Sequence, residues 1–296
     1  MTSKPQLTDP RHLYAQPPFD QQKKIDPPGL SRQMNPPAEH GESSYVGSGK
    51  LAGRSALVTG GDSGIGRAVC VALAKEGANV FISCLNEHED ARAVLELVKA
   101  EGVKAGMLAA DLTQESNCQK LVEMAVQELG GLDLLINNAA HQRTREDLES
   151  MSSDMFDQVF KTNVYAPFWL CKAALPHLPA GGSIINTVSI QGYDPTDMLL
   201  PYASSKSALI GMTKAMADLV IEHGVRVNAV APGPVWTPLI PATMPIDKVK
   251  KFGQSTTFGR PAQPAELAPL YVWLASAEAS YITGEVFGAT GGKSPL

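Results

Sequence analysis

The residues best suited to chemistry are Tyr202 and Lys206, in the segment YASSK. The chain contains seven tyrosines, and only Tyr202 is followed by a lysine four residues later. Residues four apart lie on one face of a helix, so the phenol and the ammonium are close enough to influence one another. Such a pair suits proton transfer. Because a tyrosine and a lysine also reach this spacing by chance, other polar residues must support the interpretation.

Further polar residues fall where buried strands are predicted to end. Ser189 ends one strand 13 residues before Tyr202, and residues 137–140 (NNAA) end another. Asn163 lies in a helical segment between these two strands, and residues 232–235 (PGPV) follow a later strand. The carboxyl ends of parallel strands meet at one edge of a sheet, where ligands bind. We therefore expect these residues to converge on one site.

A glycine-rich loop, TGGDSGIG at residues 59–66, follows the apolar run SALV. Gly60 would permit a tight turn, Gly64 would let a helix N-terminus approach a pyrophosphate, and Gly66 would allow close helix packing. The spacing G-x3-G-x-G alone fits a structural turn equally well. A strand before it and a helix after it favour a dinucleotide site, although Asp62 places a carboxylate inside the loop.

Strands and helices alternate from residue 51 onward. The predicted strands are 55–59, 79–84, 104–110, 133–136, 183–188, 225–230 and one near 285–287. The predicted helices are 64–76, 88–100, 113–129, 151–175, 202–222 and 265–274. Near-continuous apolar strands indicate a parallel sheet covered on both faces. We predict an α/β fold with a doubly wound, mostly parallel, Rossmann-like sheet of about seven strands, in a single domain at residues 51–296.

Residues 1–50 differ from the rest, because they contain eight of the 22 prolines and show no helical or strand periodicity. Such a segment cannot fold alone. It is either a disordered tail or an extended arm on its own domain or on a neighbouring subunit. The apolar residues available to anchor an arm are Leu13, Tyr14, Phe19, Ile25 and Leu30.

The overall composition excludes several classes of protein. A net charge of −5 provides no basic field for nucleic acid or for an anionic membrane. The four cysteines are scattered among apolar residues and no histidine pair has zinc-site spacing, so we expect no metal. The sequence shows no secretory signal and no apolar run long enough to span a bilayer, so we expect a cytoplasmic protein.

Taken together, TGGDSGIG, NNAA, Ser189 with YASSK, and PGPVWTP resemble the signature of the short-chain dehydrogenase/reductase family in its single-domain form. The resemblance covers roughly residues 51–296. The sequence GGDSGIGRA and the proline-rich arm are similar to those of a bacterial branch of this family, whose members are described as aldehyde reductases or uncharacterised oxidoreductases.

The resemblance implies a catalytic role for four residues. Tyr202 would be the general acid for a carbonyl oxygen and the base in the reverse direction, with Lys206 and an oxidised nicotinamide lowering the pKa of its phenol. Lys206 would also hold the nicotinamide ribose, and Ser189 would donate a hydrogen bond to the substrate oxygen. Asn163 would support a water that relays protons to Lys206. Alternatively, Ser189 caps a strand end and Asn163 bends or caps a helix.

The resemblance also implies a cofactor site. Asp111 would contact adenine, or act as the N-cap of the next helix, and Asn138 would tie strands together beside the cofactor. Thr237 would bind the carboxamide or the pyrophosphate, or merely precede a proline in a turn. Ala140 stands where the family usually has glycine. The full predicted cofactor set is Gly60, Asp62, Ser63, Gly64, Ile65, Gly66, Asp111, Leu112, Asn138, Ala139, Ala140, Lys206, Pro232, Gly233, Val235 and Thr237.

The choice between NAD and NADP depends on charge near the second strand. Ser63 and Leu85 stand where NADP-using relatives commonly carry a cation, and Cys84 stands where NAD-using relatives often carry an acid. Asp62 and Glu87 would accept hydrogen bonds from ribose hydroxyls and repel a 2′-phosphate. We therefore expect NAD, with NADP as the alternative.

The substrate is expected beneath a lid at residues 235–260. Ser189, Gln191, Tyr193 and Tyr202 are the predicted substrate-binding residues, and Trp236 and Leu239 could line the lid. This mixture suits a small aldehyde, ketone or sugar alcohol. The resemblance implies a homotetramer. A dinucleotide-sensing regulator and an epimerase that uses its cofactor transiently are the alternative functions on the same fold.

Overall fold

The computed structural model describes residues 8–293, so residues 1–7 of the predicted arm and residues 294–296 of the predicted domain lie outside the described part. The strands of the described chain are β1 Ser55–Thr59, β2 Asn79–Cys84, β3 Ala105–Ala109, β4 Leu134–Asn137, β5 Ser183–Thr187, β6 Arg226–Pro232 and β7 Val286–Ala289. They form one seven-stranded parallel sheet in the order β3-β2-β1-β4-β5-β6-β7. The predicted α/β fold with a parallel sheet is confirmed.

Helices cover both faces of this sheet. Their bounds are α1 Gly64–Lys75, α2 His88–Ala100, α3 Glu115–Leu129, α4 Ser153–Phe160, α5 Ala166–Ala174, α6 Leu200–Val220, α7 Leu239–Thr243, α8 Ile246–Lys250 and α9 Pro264–Ala275. One core cluster joins the sheet to α1, α2 and α9, and a second joins it to α3, α5 and α6. Strands buried on both faces explain why their sequences are almost continuously apolar. Within residues 8–293, no helix has both the length and the apolar character to cross a membrane.

The strand order reverses between β1 and β4. β1 pairs with β2 on one side and with β4 on the other, and the next strands continue outward from each. Connections therefore run to opposite faces on the two sides of this point, which leaves a crevice at the carboxyl ends of the strands. Thr59 and Asn137 are the last residues of β1 and β4 at this point of the sheet.

The helix predicted at residues 151–175 is present as one unbroken helical run, but its turns are not uniform. It consists of α4, a π-helical segment at Lys161–Tyr165 and α5. A π-helical segment adds one residue to a turn, and the apolar periodicity of a sequence does not reveal such a local change. The buried residue of the segment is Asn163.

Residues 8–50 lie against the rest of the chain. Phe19 and Ile25 are buried, Tyr14 and Leu30 are partly buried, and Leu13 is exposed. The ring of Phe19 packs on Trp236, with their centroids 4.2 Å apart. The segment also contains 3-10 turns at Pro10–His12 and Ser31–Gln33. We call residues 8–50 the arm.

Candidate active site

A cavity of about 1190 Å³ lies at the carboxyl edge of the sheet. Ser189, Tyr202 and Lys206 all line it, so the structure brings the three predicted catalytic groups together. The other predicted cofactor residues on its wall are Gly60, Asp62, Ser63, Gly64, Ile65, Asp111, Leu112, Asn138, Ala139, Ala140, Pro232, Gly233, Val235 and Thr237. The volume suits a dinucleotide together with a small substrate.

Tyr202 and Lys206 are held in the first two turns of α6 and are both buried. The Lys206 Nζ atom lies 5.5 Å from the centroid of the Tyr202 ring. It donates a hydrogen bond of 2.7 Å to the carbonyl oxygen of Thr187, at the end of β5. This bond fixes the ammonium beside the phenol and beside the strand end that precedes Ser189.

Burial is the largest influence on the pKa values of Tyr202 and Lys206. It raises the pKa of Tyr202 to about 12, an effect that the neighbouring Ser189 hydroxyl partly opposes. Burial also lowers the pKa of Lys206 to about 7. Lys206 by itself therefore does not produce the lowered Tyr202 pKa that the sequence predicted, because desolvation penalises both charged forms. At neutral pH Tyr202 is a neutral phenol and a proton donor.

The Ser189 hydroxyl both accepts a main-chain hydrogen bond and lies at the cavity wall. Its Oγ accepts a hydrogen bond of 3.1 Å from the main-chain N–H of Gln191, which caps the short turn Ile190–Gly192. Ser189 therefore caps the 3-10 turn that follows β5, whereas the alternative drawn from the sequence had it cap the strand end. This cap uses the oxygen as an acceptor and leaves the hydroxyl hydrogen free to donate into the cavity.

Asn163 is completely buried and is not among the cavity-lining residues. Its Oδ1 accepts from the His141 N–H at 2.7 Å, and its Nδ2 donates to the His141 carbonyl at 2.9 Å. The same Nδ2 donates to Ser205 Oγ at 3.0 Å, and Ser205 in turn donates to the Tyr202 carbonyl at 2.6 Å. The side chain thus connects the loop after β4 to the turn that carries Tyr202. The water relay predicted for Asn163 stays a prediction.

The geometry of the glycine loop fits a pyrophosphate group. Gly60 and Gly64 have φ values of +61° and +50°, in the left-handed region that favours glycine. Gly64 begins α1, so the free N–H groups of a 12-residue helix lie at the cavity wall. Gly66 is not on that wall. A Cβ atom there would lie 1.9 Å from the Gly60 carbonyl oxygen, so Gly66 allows the helix to pack directly behind the loop.

Asn138 and Thr59 connect the glycine loop to the neighbouring strands by hydrogen bonds. The sequence interpretation assigned a role to Asn138 but not to Thr59. Asn138 Nδ2 donates to the carbonyls of Thr59 and Gly60, at 3.0 and 3.1 Å. Thr59 Oγ1 accepts from the N–H groups of Asn138 and Ala139, both at 3.0 Å. Thr59 was detectable in principle, since it is the polar residue that ends β1.

Asp62 lies on the cavity wall but is only 4% exposed. Burial, together with the negative charge of Glu87, raises the pKa of its carboxyl to about 7. Glu87 also lines the cavity, and its Oε2 accepts from the N–H groups of Leu85 and Asn86 at 3.0 and 2.8 Å. Two acidic side chains therefore border the end of the cavity next to β2.

Asp111 does not cap the following helix. The N-cap of α3 is Gln114, three residues later, and Asp111 Oδ1 instead accepts from the N–H and hydroxyl of Thr113 at 3.0 and 2.7 Å. The N-cap alternative is therefore wrong, and Asp111 shapes the loop on the cavity wall. Thr237 packs on the glycine loop, since a Cβ atom on Gly64 would lie 3.0 Å from Thr237 Cγ2.

Two residues that the sequence suggested for the substrate side of the site do not line the cavity. Tyr193 is not among the cavity-lining residues and is 36% exposed. Trp236 does not line it either, because its ring packs on Phe19 and its Nε1 donates to the Pro36 carbonyl at 2.8 Å. Gln191 and Leu239 do line the cavity.

His141 and Gln142 line the cavity, and the sequence interpretation missed both. They directly follow NNAA, and that position after a strand end was the available signal. Gln142 Nε2 donates to Thr243 Oγ1 at 2.8 Å, which ties this loop to α7. In the described part of the chain no three His, Cys, Asp or Glu side chains are grouped as ligands for a metal ion.

Comparison with known proteins agrees with this geometry. The family model described as Enoyl-(Acyl carrier protein) reductase matches residues 60–294. The chain is 49% identical over 291 residues to the Uncharacterized oxidoreductase YhxD of Bacillus subtilis (strain 168), covering 97% of each protein. It is 42% identical over 280 residues to the Glucose and ribitol dehydrogenase of Daucus carota, covering 93% of this chain and 96% of that protein.

A solved structure shares the fold. The short chain dehydrogenase from Burkholderia cenocepacia J2315, crystallised in complex with NADP, superposes with a TM-score of 0.77 at 32% identity. The match covers 82% of this chain and 98% of that one.

Proposed function

The chain belongs to the short-chain dehydrogenase/reductase family of oxidoreductases, and we propose that it transfers a hydride between a nicotinamide cofactor and a small carbonyl or alcohol substrate. The observation that carries the proposal is the convergence of Ser189, Tyr202 and Lys206 on one cavity whose other wall is the glycine loop. When bound, the nicotinamide supplies or accepts the hydride.

Tyr202 moves the proton in this proposal. As a neutral phenol it donates the proton to the carbonyl oxygen during reduction, and as the phenolate it accepts a proton from the alcohol in the reverse direction. Ser189 donates a hydrogen bond to the same oxygen and stabilises the charge that develops there. Lys206, fixed by Thr187, holds the nicotinamide ribose and places its ammonium beside the phenol. Asn163 positions Tyr202 through Ser205.

We propose NAD as the cofactor, although the Burkholderia structure holds NADP. Asp62 and Glu87 border the cavity beside β2, and of the described wall residues at that end none is a lysine or an arginine. Carboxylates accept hydrogen bonds from ribose hydroxyls and disfavour a 2′-phosphate. We expect Asp62→Ser to lower the ratio of NAD to NADP affinity, measured by fluorescence titration with each reduced cofactor. An unchanged ratio would refute this role of Asp62.

The substrate is, in this proposal, a small aldehyde, ketone, sugar or sugar alcohol. The polar side chains of Gln142, Gln191 and Thr196 on the cavity wall suit hydroxyl groups. The Daucus carota relative, by its name, acts on glucose and ribitol. We assign the catalytic domain to residues 51–296 and the lid to residues 235–260, from which Leu239 and Met244 line the cavity.

The decisive experiment follows absorbance of the reduced nicotinamide, with both cofactors, across aldehydes, ketones, sugars and polyols. We expect Tyr202→Phe to lower kcat by about 10²–10⁴-fold, the usual contribution of a general acid, while cofactor affinity stays within about threefold. Ser204→Ala, an exposed change in the same helix, is the control. Full activity in Tyr202→Phe would contradict the mechanism. Cofactor binding without any turnover in the wild type would favour a sensor, and substrate conversion without net absorbance change would favour an epimerase.

We further propose a homotetramer. Aromatic residues of α4, the π-helical segment and α5 are exposed, with Phe156 at 37%, Tyr165 at 40% and Phe168 at 46%. Light scattering after gel filtration gives the mass that tests this proposal. The predicted cytoplasmic location stays a prediction.

A further inference from the structure

Part of the arm crosses the cavity at its acidic end. Pro28 lines the cavity. The next residue, Gly29, is buried at φ +95°, and a Cβ atom there would lie 2.8 Å from the Pro238 carbonyl oxygen. Two residues later, the Ser31 N–H donates a hydrogen bond of 2.7 Å to Asp90 Oδ2. We call Pro28, Gly29, Leu30 and Ser31 the strap.

The strap is supported by the segment after Thr237 and by the start of α2. Pro238 follows Thr237, the residue that packs on Gly64. Asp90, 7% exposed, lies in the first turn of α2, three residues after Glu87 on the cavity wall. The strap therefore bridges the start of the lid and the start of α2, above Gly64 and beside the two acidic residues.

The arm is fastened on both sides of the strap. Before it, the Phe19 N–H donates to the Lys250 carbonyl at 2.9 Å, and the Ile25 N–H donates to the Pro241 carbonyl at 3.3 Å. After it, the Pro36 carbonyl accepts from Trp236 Nε1, and the Glu39 N–H donates to Gln263 Oε1 at 2.9 Å. A short span held at both ends retains its position with little further loss of entropy.

We propose that the strap is a wall of the cofactor site over its adenosine and pyrophosphate half, and that the Ser31–Asp90 hydrogen bond is the latch that retains the cofactor. This inference rests on the proposed function, because it concerns the same nicotinamide cofactor. The family model matches residues 60–294, so the strap precedes the part of the chain that this model describes. Asp90 acts through Ser31 and is a positioning residue.

Substitutions at Ser31 separate the latch from the rest of the strap. Ser31→Pro removes the N–H donor. Since Ser31 is the first residue of a 3-10 turn and follows an extended Leu30, proline fits that backbone. Ser31→Ala keeps the N–H and removes only a hydroxyl that has no hydrogen-bond partner, so it is the matched control. Asp90→Ala removes the acceptor, and Asp90→Asn retains one.

The test is the dissociation rate of reduced NAD from the full-length protein, followed by stopped-flow fluorescence during displacement by excess oxidised NAD. We expect Ser31→Pro and Asp90→Ala to raise that rate about threefold to tenfold, the range of a single hydrogen bond, and Ser31→Ala and Asp90→Asn to leave it within twofold. The proposed latch would be refuted if reduced NAD left Ser31→Pro at the wild-type rate. It would also be refuted if reduced NAD left Asp90→Asn and Asp90→Ala at equal rates.

Hydrogen exchange of the wild-type protein tests the strap without any substitution, so its result does not depend on the stability of a variant. We expect bound reduced NAD to slow exchange of the Ser31 amide several-fold while amides near Leu13 exchange unchanged. No slowing at Ser31 would overturn the proposal. If the wild type binds neither nicotinamide cofactor, the proposed function fails, whereas binding with an unaffected strap refutes only this inference.

Discussion

Burial is the main influence on the pKa values of three ionisable side chains in the cavity. Asp62, Tyr202 and Lys206 are each removed from water, and burial is the first cause of the pKa shift of each. The shifts raise the pKa of the two acids and lower that of the base, so every one of them favours a neutral group. A neutral Tyr202 can donate a proton at once. Asp62, with a pKa of about 7, changes its charge near neutrality, where it faces the predicted ribose site.

The raised pKa of Asp62 predicts that this residue lowers the free energy of unfolding at high pH. Because its pKa is higher in the folded chain than in the unfolded one, the folded state is favoured at low pH and loses that advantage as pH rises from about 4 to about 7. Asp62→Asn should therefore raise the free energy of unfolding at pH 8 by at most about 4 kcal/mol, with a smaller gain at pH 5. Urea unfolding at both pH values measures it, with exposed Asp218→Asn as the control. A larger gain at pH 5 would contradict the sign.

At the scale of elements, the π-helical segment connects the strand-end loop to the catalytic helix. Asn163 satisfies both main-chain groups of His141 and reaches Ser205, which holds the carbonyl of Tyr202. Three elements distant in sequence are thus fixed by one buried amide. The inserted residue of the π-helix turns this amide inward.

Asn163→Ala should weaken both stability and catalysis. The loss of partners for His141 should lower the free energy of unfolding by about 1–3 kcal/mol. Because Tyr202 loses a support, kcat should fall about tenfold while cofactor affinity changes little. Chemical denaturation and steady-state kinetics measure the two effects, and Asn163→Asp, which keeps one acceptor for the His141 N–H, should recover part of both. Unaltered kcat in a folded Asn163→Ala would show that the segment only supports the fold.

At the scale of the whole molecule, the arm and the lid form one packed layer over the cavity. Phe19, Met34 and Trp236 share a small core cluster with Ile240 and Val249 of α7 and α8. Arg260, 4% exposed, pairs with Glu266 and donates to the Pro10 carbonyl, which fastens the start of the described arm. The lid therefore rests on the domain below and on the arm above.

Phe19→Ala tests how much this packed layer contributes to the free energy of unfolding. Removal of the buried ring should lower the free energy of unfolding by about 2–4 kcal/mol, below the full cost in a deep core because the arm lies at the surface. Leu13→Ala, at an exposed position of the same arm, should change it by less than about 0.5 kcal/mol. Equal effects of the two changes in thermal and urea unfolding would show that the arm does not stabilise the domain.

The sheet, its flanking helices and the strand-end residues could be predicted from the sequence, because short-range apolar periodicity reports which segments are buried. The sequence also placed Ser189, Tyr202, Lys206 and the glycine loop together, because parallel strands bring their carboxyl ends to one edge. Only the tertiary structure showed that Tyr193 is absent from the cavity wall, that Asn163 lies in a π-helical segment, and that burial opposes the charge of Lys206. It also decided that Trp236 faces Phe19, more than 200 residues away, instead of the cavity. These outcomes depend on desolvation and on contacts between remote segments, which no local pattern of residues encodes.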